Sequence, residues 1–429
     1  IDRLVYHDPE TNDSYPVAEK SPFYKNQTAN ILLHCGRINP ESIEEYIADK
    51  GYQAIAKVLS GMTPDEVIQT VSASGLRGRG GAGFPTGKKW SFASAQVSDK
   101  KYIICNGDEG DPGAFMNRSV LEGDPHRVIE GMMIAGYAIG ADEGIFYLRA
   151  EYPLAVERLR VAIEQAEKAG FLGQNILGSN FNFKLSIREG AGAFVCGEET
   201  ALLASVEGKR GVPKPRPPFP AVSGLFGKPT IINNVETIAN LAKIVLNGPQ
   251  WFRQYGTEMS PGTKTFALTG KVQNTGLVEI PMGTSLRKVV FDIGGGVPNG
   301  KKFKAVQIGG PSGGCLPEHE LDNALDYDSL QKVGAMIGSG GIVVMDEDNC
   351  IVEVAKFFMS FIQAESCGKC VACREGTKQM LHIITKIVED KATLEDLELL
   401  EEIASVVKDA SLCALGKTAA NPILSTLRY

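Results

Sequence analysis

Three cysteines, Cys367, Cys370 and Cys373, have two residues between each neighbouring pair, and Cys413 follows forty residues after the last of them. The C-x2-C-x2-C spacing with a distant fourth thiolate is typical of a protein that holds a cubane [4Fe-4S] cluster. Zinc is the alternative, because all-cysteine zinc sites also need four thiolates, although zinc ribbons usually split their ligands into two C-x2-C pairs. The pattern favours an iron-sulfur cluster, and a chance grouping of buried thiols is the least favoured interpretation.

A glycine-dense segment lies far upstream of the cysteine motif and runs from Gly78 to Lys89. It contains the G-x-G-x-x-G spacing of dinucleotide-binding loops, but that motif needs a strand just before it, and the preceding residues look helical. A Walker A loop is excluded because Lys89 stands where a magnesium-binding Ser or Thr is needed. The segment therefore predicts either a loop that offers backbone N-H groups and positive charge to a phosphate, or a flexible surface loop.

Paired acids follow two of the predicted strands. Asn106-Gly107-Asp108-Glu109 comes after the first strand, and Gly197-Glu198-Glu199 follows the third. Ligands of open α/β sheets gather at the carboxyl ends of the strands. One acid pair alone could be a solvated turn, but two at matching positions predict a ligand site.

The elements that must position these residues change along the chain. Residues 41–72 predict two short helices. Strands are expected near 102–105, 145–148 and 183–187. Between them the pattern predicts a helix from Asp124-Pro125 to Ile139 and another from Pro153 to Gly170. This alternation predicts an α/β core with parallel pairing. Short strands with Gly and Pro turns dominate 262–330, and apolar stripes at helical spacing begin at 353.

Composition limits the function classes. The 429 residues carry a net charge of -7, which argues against nucleic acid as a partner because phosphate binding needs a concentrated basic face. Apolar runs such as 333–345 fall short of the roughly 20 residues that span a bilayer, and no signal segment is recognised at the start. The five remaining cysteines fit a reducing environment, so we expect a cytoplasmic protein without direct membrane contact.

Six segments together carry a family resemblance: 77–90, 105–115, 190–202, 217–221, 231–237 and 366–374. They resemble the NADH-oxidising flavoprotein subunit of respiratory complex I. They are still more similar to its relatives in soluble NAD-linked [FeFe] hydrogenases, some of them electron-bifurcating, and in formate dehydrogenases.

The resemblance implies three sets of binding residues. Those expected at FMN are Gly78, Arg79, Gly80, Lys89, Asn106, Asp108, Glu109, Gly197, Glu198, Glu199, Asn233, Asn234 and Thr237. Those expected at NAD(H) are Gly81, Phe84, Phe92, Asp111, Phe194, Arg216 and Phe219, whose aromatic members would stack on the dinucleotide. The metal ligands would be Cys367, Cys370, Cys373 and Cys413.

The resemblance also implies an architecture and partners. Residues 1–60 would form an N-terminal extension, 61–255 a Rossmann-like FMN- and NAD(H)-binding α/β domain, 256–335 a ubiquitin-like β-grasp (SLBB) domain, and 336–429 a helical bundle with the [4Fe-4S] cluster. Expected partners are other iron-sulfur subunits, including a small thioredoxin-like [2Fe-2S] subunit and a catalytic hydrogenase or formate dehydrogenase subunit.

The chain departs from the respiratory pattern at four positions. Asp111, Phe194 and Arg216 replace a glutamate, a tyrosine and a lysine near the nucleotide, and Ala372 replaces a proline in the cluster loop. None of the predicted cluster cysteines is replaced. The three changes near the nucleotide leave open whether the chain uses NAD or NADP.

A hydride carries two electrons, whereas a [4Fe-4S] cluster passes one, so a flavin is the converter that makes a dinucleotide site and a cluster useful together. The leading hypothesis is a flavin-dependent electron-transfer subunit that exchanges hydride with NAD(H) and single electrons with partner clusters, in a soluble hydrogenase or formate dehydrogenase complex. The acidic residues would serve as binding groups, and no protein general base is needed. The alternatives are a subunit of complex I or of a ferredoxin:NAD oxidoreductase at a membrane, and a non-catalytic cluster or zinc protein that docks partners.

Overall fold

The N-terminal part of the molecule is largely helical. The computed structural model describes residues 6–7, 14–15 and 20–429, so the first part of the predicted N-terminal extension lies largely outside the described residues. Strand β1 (Tyr6–His7) pairs antiparallel with β2 (Ser14–Tyr15). The helices before the first long strand are α1 (Pro22–Lys25), α2 (Ile43–Ala48), α3 (Gln53–Gly61), α4 (Pro64–Ser74) and α5 (Thr86–Ser94).

Where two helices were expected in 41–72, the structure has three, because Tyr52 adopts a left-handed conformation that separates α2 from α3. Helix α4 begins at the expected cap. Thr63 and Glu66 form a reciprocal capping box there. Ile55 and Val58 of α3 belong to the main hydrophobic core, so the later part of the 1–60 segment is integral to the α/β core.

The first sheet is parallel. Its strands are β3 (Tyr102–Gly107), β4 (Glu143–Arg149), β5 (Lys184–Gly190) and β6 (Thr230–Asn234), in the order β5-β4-β3-β6. Its helices are α6 (Met116–Gly123), α7 (Pro125–Ile139), α8 (Pro153–Lys168), α9 (Glu199–Val206), α10 (Val235–Ala239), α11 (Leu241–Asn247) and α12 (Pro249–Arg253). The predicted α/β core with parallel pairing is confirmed.

Helix α7 is the central element of this core. It is buried along its length except at Tyr137, and Asp124 caps its start by accepting from the Arg127 N-H. Gly131 allows close packing, since a Cβ there would lie 2.3 Å from the Ile238 carbonyl oxygen of α10. Close helix packing therefore fixes α10, which directly follows β6.

The second sheet is mixed and contains β7 (Thr263–Gly270), β8 (Gly276–Pro281), β9 (Phe303–Ile308), β10 (Gly314–Pro317) and β11 (Gly341–Asp346). The order is β10-β9-β11-β7-β8, so β11 is central and runs parallel to β7. A π-helix (Lys288–Ile293) and α13 (Tyr327–Lys332) cover its core. The β-rich unit therefore extends beyond residue 335, where the sequence-based division ended it.

The C-terminal part is helical, as predicted. It comprises α14 (Ile351–Glu365), α15 (Val371–Val388), α16 (Leu394–Ala410), α17 (Ala414–Thr418) and α18 (Asn421–Arg428). Met359, Met380, Ile384 and Leu400 form its apolar core. Helix α18 returns to the second sheet, where Ser425 Oγ accepts from the Cys315 N-H at 3.0 Å. Within the described part of the chain, no helix is long and apolar enough to cross a membrane.

Candidate functional site

Several predicted binding residues meet at the carboxyl edge of the parallel sheet. Asn106 at the end of β3 pairs in register with Asn234 at the end of β6, and Asn233 lies beside Cys105. The Asn106 amide donates to the Gly197 carbonyl oxygen at 3.0 Å, which draws in the loop after β5. The predicted ligand loops after β3 and β5 therefore lie at one edge of the sheet, beside the end of β6.

The glycine loop (residues 78–83) lies against this edge. It follows helix α4 and not a strand, which confirms that it is not a Rossmann loop. A Cβ at Gly80 would lie 3.1 Å from the Asn234 Cβ, so the backbone passes close to that side chain. Gly81 and Gly83 have φ angles of 116° and 63°, which residues other than glycine rarely adopt.

The second sheet supports the glycine loop from the other side. The Tyr327 hydroxyl donates to the Gly78 carbonyl oxygen at 2.8 Å. A Cβ at Gly81 would lie 3.2 Å from the backbone of Gly338, and one at Gly83 would lie 2.8 Å from the Tyr327 ring. The loop is thus held between the two sheets.

The side chain of Arg79, a predicted FMN residue, contacts the backbone at the start of β7. Its guanidinium donates to the carbonyl oxygens of Thr263 at 3.1 Å and Pro261 at 2.7 Å, and the residue is 1% exposed. Its N-H donates to Thr237 Oγ1 at 2.8 Å, and Thr237 is itself buried. Arg79 and Thr237 therefore fasten the loop to its surroundings.

Lys89 and Glu199 form the charged part of the pocket. The Lys89 ammonium contacts the Glu199 carboxylate and donates to the Ile232 carbonyl oxygen at 2.7 Å. Arg216 reaches the second Glu199 oxygen at 3.5 Å. The Trp90 indole, which sequence reasoning did not select, donates to Asn233 Oδ1 at 2.9 Å and orients it from behind. One carboxylate between two cations leaves positive charge available for a phosphate.

In each acid pair, one glutamate accepts hydrogen bonds from the N-H groups at the start of a helix. Glu109 accepts from the N-H groups of Asn117 and Arg118 at the start of α6. Glu198 accepts from the Thr200 and Ala201 N-H groups and caps α9. Both therefore stabilise helix starts.

Asp108 is different from its neighbour. Its Oδ2 atom is buried and has no hydrogen-bond partner among the described residues. Burial raises the pKa of Asp108 to about 7, and it raises the pKa of Glu109 to about 7 as well. A buried carboxyl oxygen without a protein partner fits a site for a ligand hydroxyl or N-H group.

The predicted NAD(H) residues fall into two groups. The rings of Phe84, Phe92 and Phe219 are 47%, 46% and 55% exposed, and the Arg216 guanidinium lies 5.7 Å from the Phe219 ring centre. These faces are available for stacking. The Ser339 hydroxyl donates a hydrogen bond to the Asp111 carboxylate. Ser339 lies in a short glycine-rich turn that was not predicted as part of the site. Burial raises the pKa of Asp111 to about 6.

Phe194 packs against the C-terminal helices. Its ring meets Phe361 edge-on at 5.4 Å, and its N-H donates to the Glu365 carboxylate at 2.9 Å. Phe194 therefore joins the loop after β5 to the end of α14.

The predicted metal ligands line a single pocket: Cys367, Cys370, Cys373 and Cys413. Cys370 is the N-cap residue of α15 and Cys413 that of α17, while Gly368 turns the chain with a φ of 77°. The other lining residues include Val195, Ser366 and Ser411. Burial raises the pKa of the Cys373 and Cys413 thiols.

The cysteine loop and the nucleotide-side loops are fastened together. Arg210 donates to the Cys367 carbonyl oxygen at 2.9 Å, and Lys369 donates to that of Pro213 at 2.5 Å. Val195 lines the cysteine pocket, whereas Gly197, two residues on, accepts from Asn106 at the sheet edge. A four-residue turn (Phe194–Gly197) thus separates the two candidate sites.

This fold, with a phosphate-suited loop at the sheet edge and a four-cysteine pocket beside it, defines a class of redox protein that holds a nucleotide cofactor and an iron-sulfur centre in one chain. Two protein-family models match: the Nuo51 FMN-binding domain over residues 71–243 and the NADH-ubiquinone oxidoreductase-F iron-sulfur binding region over 353–429. The chain belongs to the family of FMN-binding, [4Fe-4S]-containing subunits of NADH-linked oxidoreductases.

The NADP-reducing hydrogenase subunit HndC of Solidesulfovibrio fructosivorans is 58% identical over 94% of this chain and 82% of its own. An NADH-quinone oxidoreductase subunit of Aquifex aeolicus is 45% identical over 96% of this chain and 95% of its own. The crystal structure of an NAD+-reducing [NiFe]-hydrogenase in the H2-reduced state superimposes with a TM-score of 0.82 at 37% identity. That match covers 94% of this chain and 66% of the hydrogenase chain.

Proposed function

We propose that this chain exchanges hydride with NAD(H) at a bound FMN and single electrons with partner clusters through its own [4Fe-4S] cluster. The Phe194–Gly197 turn is the main observation behind this proposal. Its Gly197 contacts Asn106 at the sheet edge, and its Val195 lines the cysteine pocket. FMN, when bound, supplies the conversion between two-electron and one-electron transfer. The protein contributes binding, orientation and electrostatics.

The sheet edge fits a flavin nucleotide. The glycine loop and Lys89 would hold the phosphate, since they offer N-H groups and positive charge. Asn106, Asn234 and Asp108 would bind the polar parts of the cofactor, Asp108 through its unpartnered oxygen. Gly197 would lie beside them, because its carbonyl is already fixed by Asn106. Glu109 and Glu198 would act indirectly by holding the helices that begin beside the site.

The exposed aromatic rings fit the dinucleotide. We propose that Phe84, Phe92 and Phe219 stack on NAD(H) and that Glu199 and Arg216 bind its polar groups. Asp111 would have to exchange its Ser339 contact for a nucleotide hydroxyl. We propose NADH as the substrate.

The cysteine pocket fits a cluster better than a zinc ion. All four cysteines line it, and three of them have the C-x2-C-x2-C spacing that is typical of a cubane cluster, whereas zinc ribbons usually use two C-x2-C pairs. The family match over 353–429 supports the same choice.

The domain division follows from this assignment. We propose that 61–255, together with helix α3, forms the FMN- and NAD(H)-binding unit. We propose that the mixed sheet with α13 is the ubiquitin-like SLBB domain and that the helices from Ile351 carry the cluster. The SLBB limit then moves from 335 to Asp346, because β11 is its central strand.

Relatives suggest the partners. We propose a cytoplasmic complex with a small thioredoxin-like [2Fe-2S] subunit and a catalytic hydrogenase or formate dehydrogenase subunit. The name of the HndC relative supports the hydrogenase setting. A membrane complex is the second candidate, because the Aquifex aeolicus NADH-quinone oxidoreductase relative matches over a similar span. Co-purification with membrane subunits would favour that candidate.

An anaerobic NADH titration of the purified chain tests the proposal. We expect one flavin per chain to lose its absorbance as NADH is added, with a reduced-cluster EPR signal in the same samples. NADPH serves as the comparison nucleotide. A colourless protein that contains zinc and does not respond to NADH would contradict the proposal and favour a docking protein.

A further inference from the structure

The Ser411 hydroxyl group lacks a hydrogen-bond partner among the described residues. Ser411 directly follows α16, and its side chain is buried, with the residue 4% exposed. Its Oγ atom makes no hydrogen bond within the described part of the chain. Buried hydroxyl groups in proteins nearly always have a partner. This hydroxyl group therefore indicates a partner other than the described residues.

The surroundings of Ser411 show where that partner lies. Ser411 lines the same pocket as the four cysteines. A Cβ at Gly416 would lie 2.4 Å from Ser411 Oγ and 3.2 Å from the Cys373 Cβ. Gly416 therefore leaves the hydroxyl room close to Cys373.

Two other donors already reach cysteine sulfur atoms in this pocket. The Leu412 N-H donates to Cys370 Sγ at 3.4 Å. Ser366 Oγ lies 3.4 Å from Cys373 Sγ. An iron-bound thiolate can only accept a hydrogen bond, so Ser366 would be the donor there. Ser411 is a third donor group with no assigned acceptor.

We propose that the Ser411 hydroxyl donates a hydrogen bond to a cluster sulfur, either a sulfide or a cysteine thiolate, and thereby raises the reduction potential of the cluster. The inference rests on the proposed function, which places the cluster on the four cysteines. Reduction adds negative charge to the cluster, and a donor stabilises the reduced form more than the oxidised form. Hydrogen bonds to sulfur are among the factors that set cluster potentials.

The test is a redox titration followed by EPR on the whole chain with its cofactors. In Ser411→Ala we expect the equilibrium constant for one-electron reduction to fall about tenfold, which is a downward shift of about 59 mV. Ser411→Thr keeps a hydroxyl group and should retain the wild-type midpoint. An unchanged midpoint in Ser411→Ala with an intact cluster, or an equal shift in Ser411→Thr, would overturn the proposal.

A second pair of variants covers poor cluster assembly in Ser411→Ala. Ser411→Thr and Ser411→Val have the same shape and differ only in the hydroxyl group. A lower midpoint in the Val variant supports the proposal, and equal midpoints in the two overturn it. Absence of any cluster from the wild-type chain would instead contradict the proposed function, so the two failures are distinguishable.

Discussion

Each acid pair at the sheet edge contains one carboxylate that holds a helix start and one that does not. Glu198 accepts from the backbone of α9, whereas Glu199 lies between Lys89 and Arg216. Adjacent residues of the same type therefore have different roles. A helix cap affects folding, while the carboxylate between the two cations affects binding.

Glu199→Ala should weaken nucleotide binding and raise the KM for NADH about tenfold, because a hydrogen bond to a charged group contributes about 1.5–3 kcal/mol. Glu198→Ala is the matched control. It should lower stability by about 1 kcal/mol through the lost cap and raise the KM much less than Glu199→Ala does. Steady-state kinetics and thermal unfolding measure both effects. Unaltered flavin content and KM in Glu199→Ala would remove Glu199 from the site.

Asp108 should make the flavin-free protein less stable as the pH rises. Burial raises its pKa from about 3.8 to about 7, so the folded state binds the proton more tightly than the unfolded state. Its stabilising contribution is complete below about pH 4 and is lost as the pH rises through about 7. Asp108→Asn does not ionise. The Tm of the wild type should therefore fall relative to that of the Asn variant between about pH 4 and pH 7, and a constant difference would contradict this.

Residue types and spacing were enough to select both acid pairs and the four cysteines, which the structure places at the sheet edge and around one pocket. They could not show which acid of each pair caps a helix, because that depends on where the following helix begins. Trp90, Ser339 and Ser411 gave no sequence signal, since their roles come from contacts with residues distant along the chain.

At the scale of elements, the two sheets are joined by a buried ion pair. Lys264 on β7 contacts Glu236 on α10 at 2.9 Å, and both side chains are at most 2% exposed. The Thr265 N-H donates to the second Glu236 oxygen at 2.8 Å. The Lys264 ammonium also donates to the Arg79 carbonyl oxygen at 3.2 Å. The pair therefore anchors the glycine loop as well as the sheets.

Lys264→Met should destabilise the protein by about 3–5 kcal/mol, because it leaves the Glu236 charge buried without its partner. Chemical denaturation measures the change. The surface pair of Arg287 and Asp322 provides the control, and Arg287→Met should leave the unfolding midpoint unchanged within error. Equal effects of the two substitutions would argue against the anchoring role.

Local signals predicted the elements well where a cap and a periodic pattern coincide, as at Asp124 and α7. They did not reveal β11, which lies in an apolar run recognised only as too short to span a membrane. A central strand is defined by partners far away in the sequence. Its parallel neighbour β7 begins 78 residues earlier, at Thr263 against Gly341.

At the scale of the whole molecule, the two candidate sites share one short turn. The Phe194–Gly197 turn and the Arg210 and Lys369 contacts fix the cysteine loop against the nucleotide side. The order of six motifs was enough to predict the family. It could not predict these contacts, because they depend on packing between segments about 160 residues apart (Cys367 against Arg210, a separation of 157).

Cys370→Ser should remove the cluster and retain NADH oxidation by an artificial dye, because hydride transfer precedes the cluster. EPR and iron analysis report the cluster, and flavin absorbance reports FMN. The exposed Cys350, which does not line the pocket, provides the control as Cys350→Ser and should change neither. Loss of flavin together with the cluster would show that the two sites depend on each other for assembly.

The glycine loop lies between two sheets that come from different parts of the chain, with Tyr327 and Gly338 fitted against it. The β-rich segment therefore cannot be exchanged between relatives independently of the glycine loop. A chimera that imports residues 256–346 from a homologue must import 77–86 with them, because a bulkier residue at 338 or a smaller one at 327 would alter the fit. Sequence change on one side of this contact constrains what evolution can accept on the other.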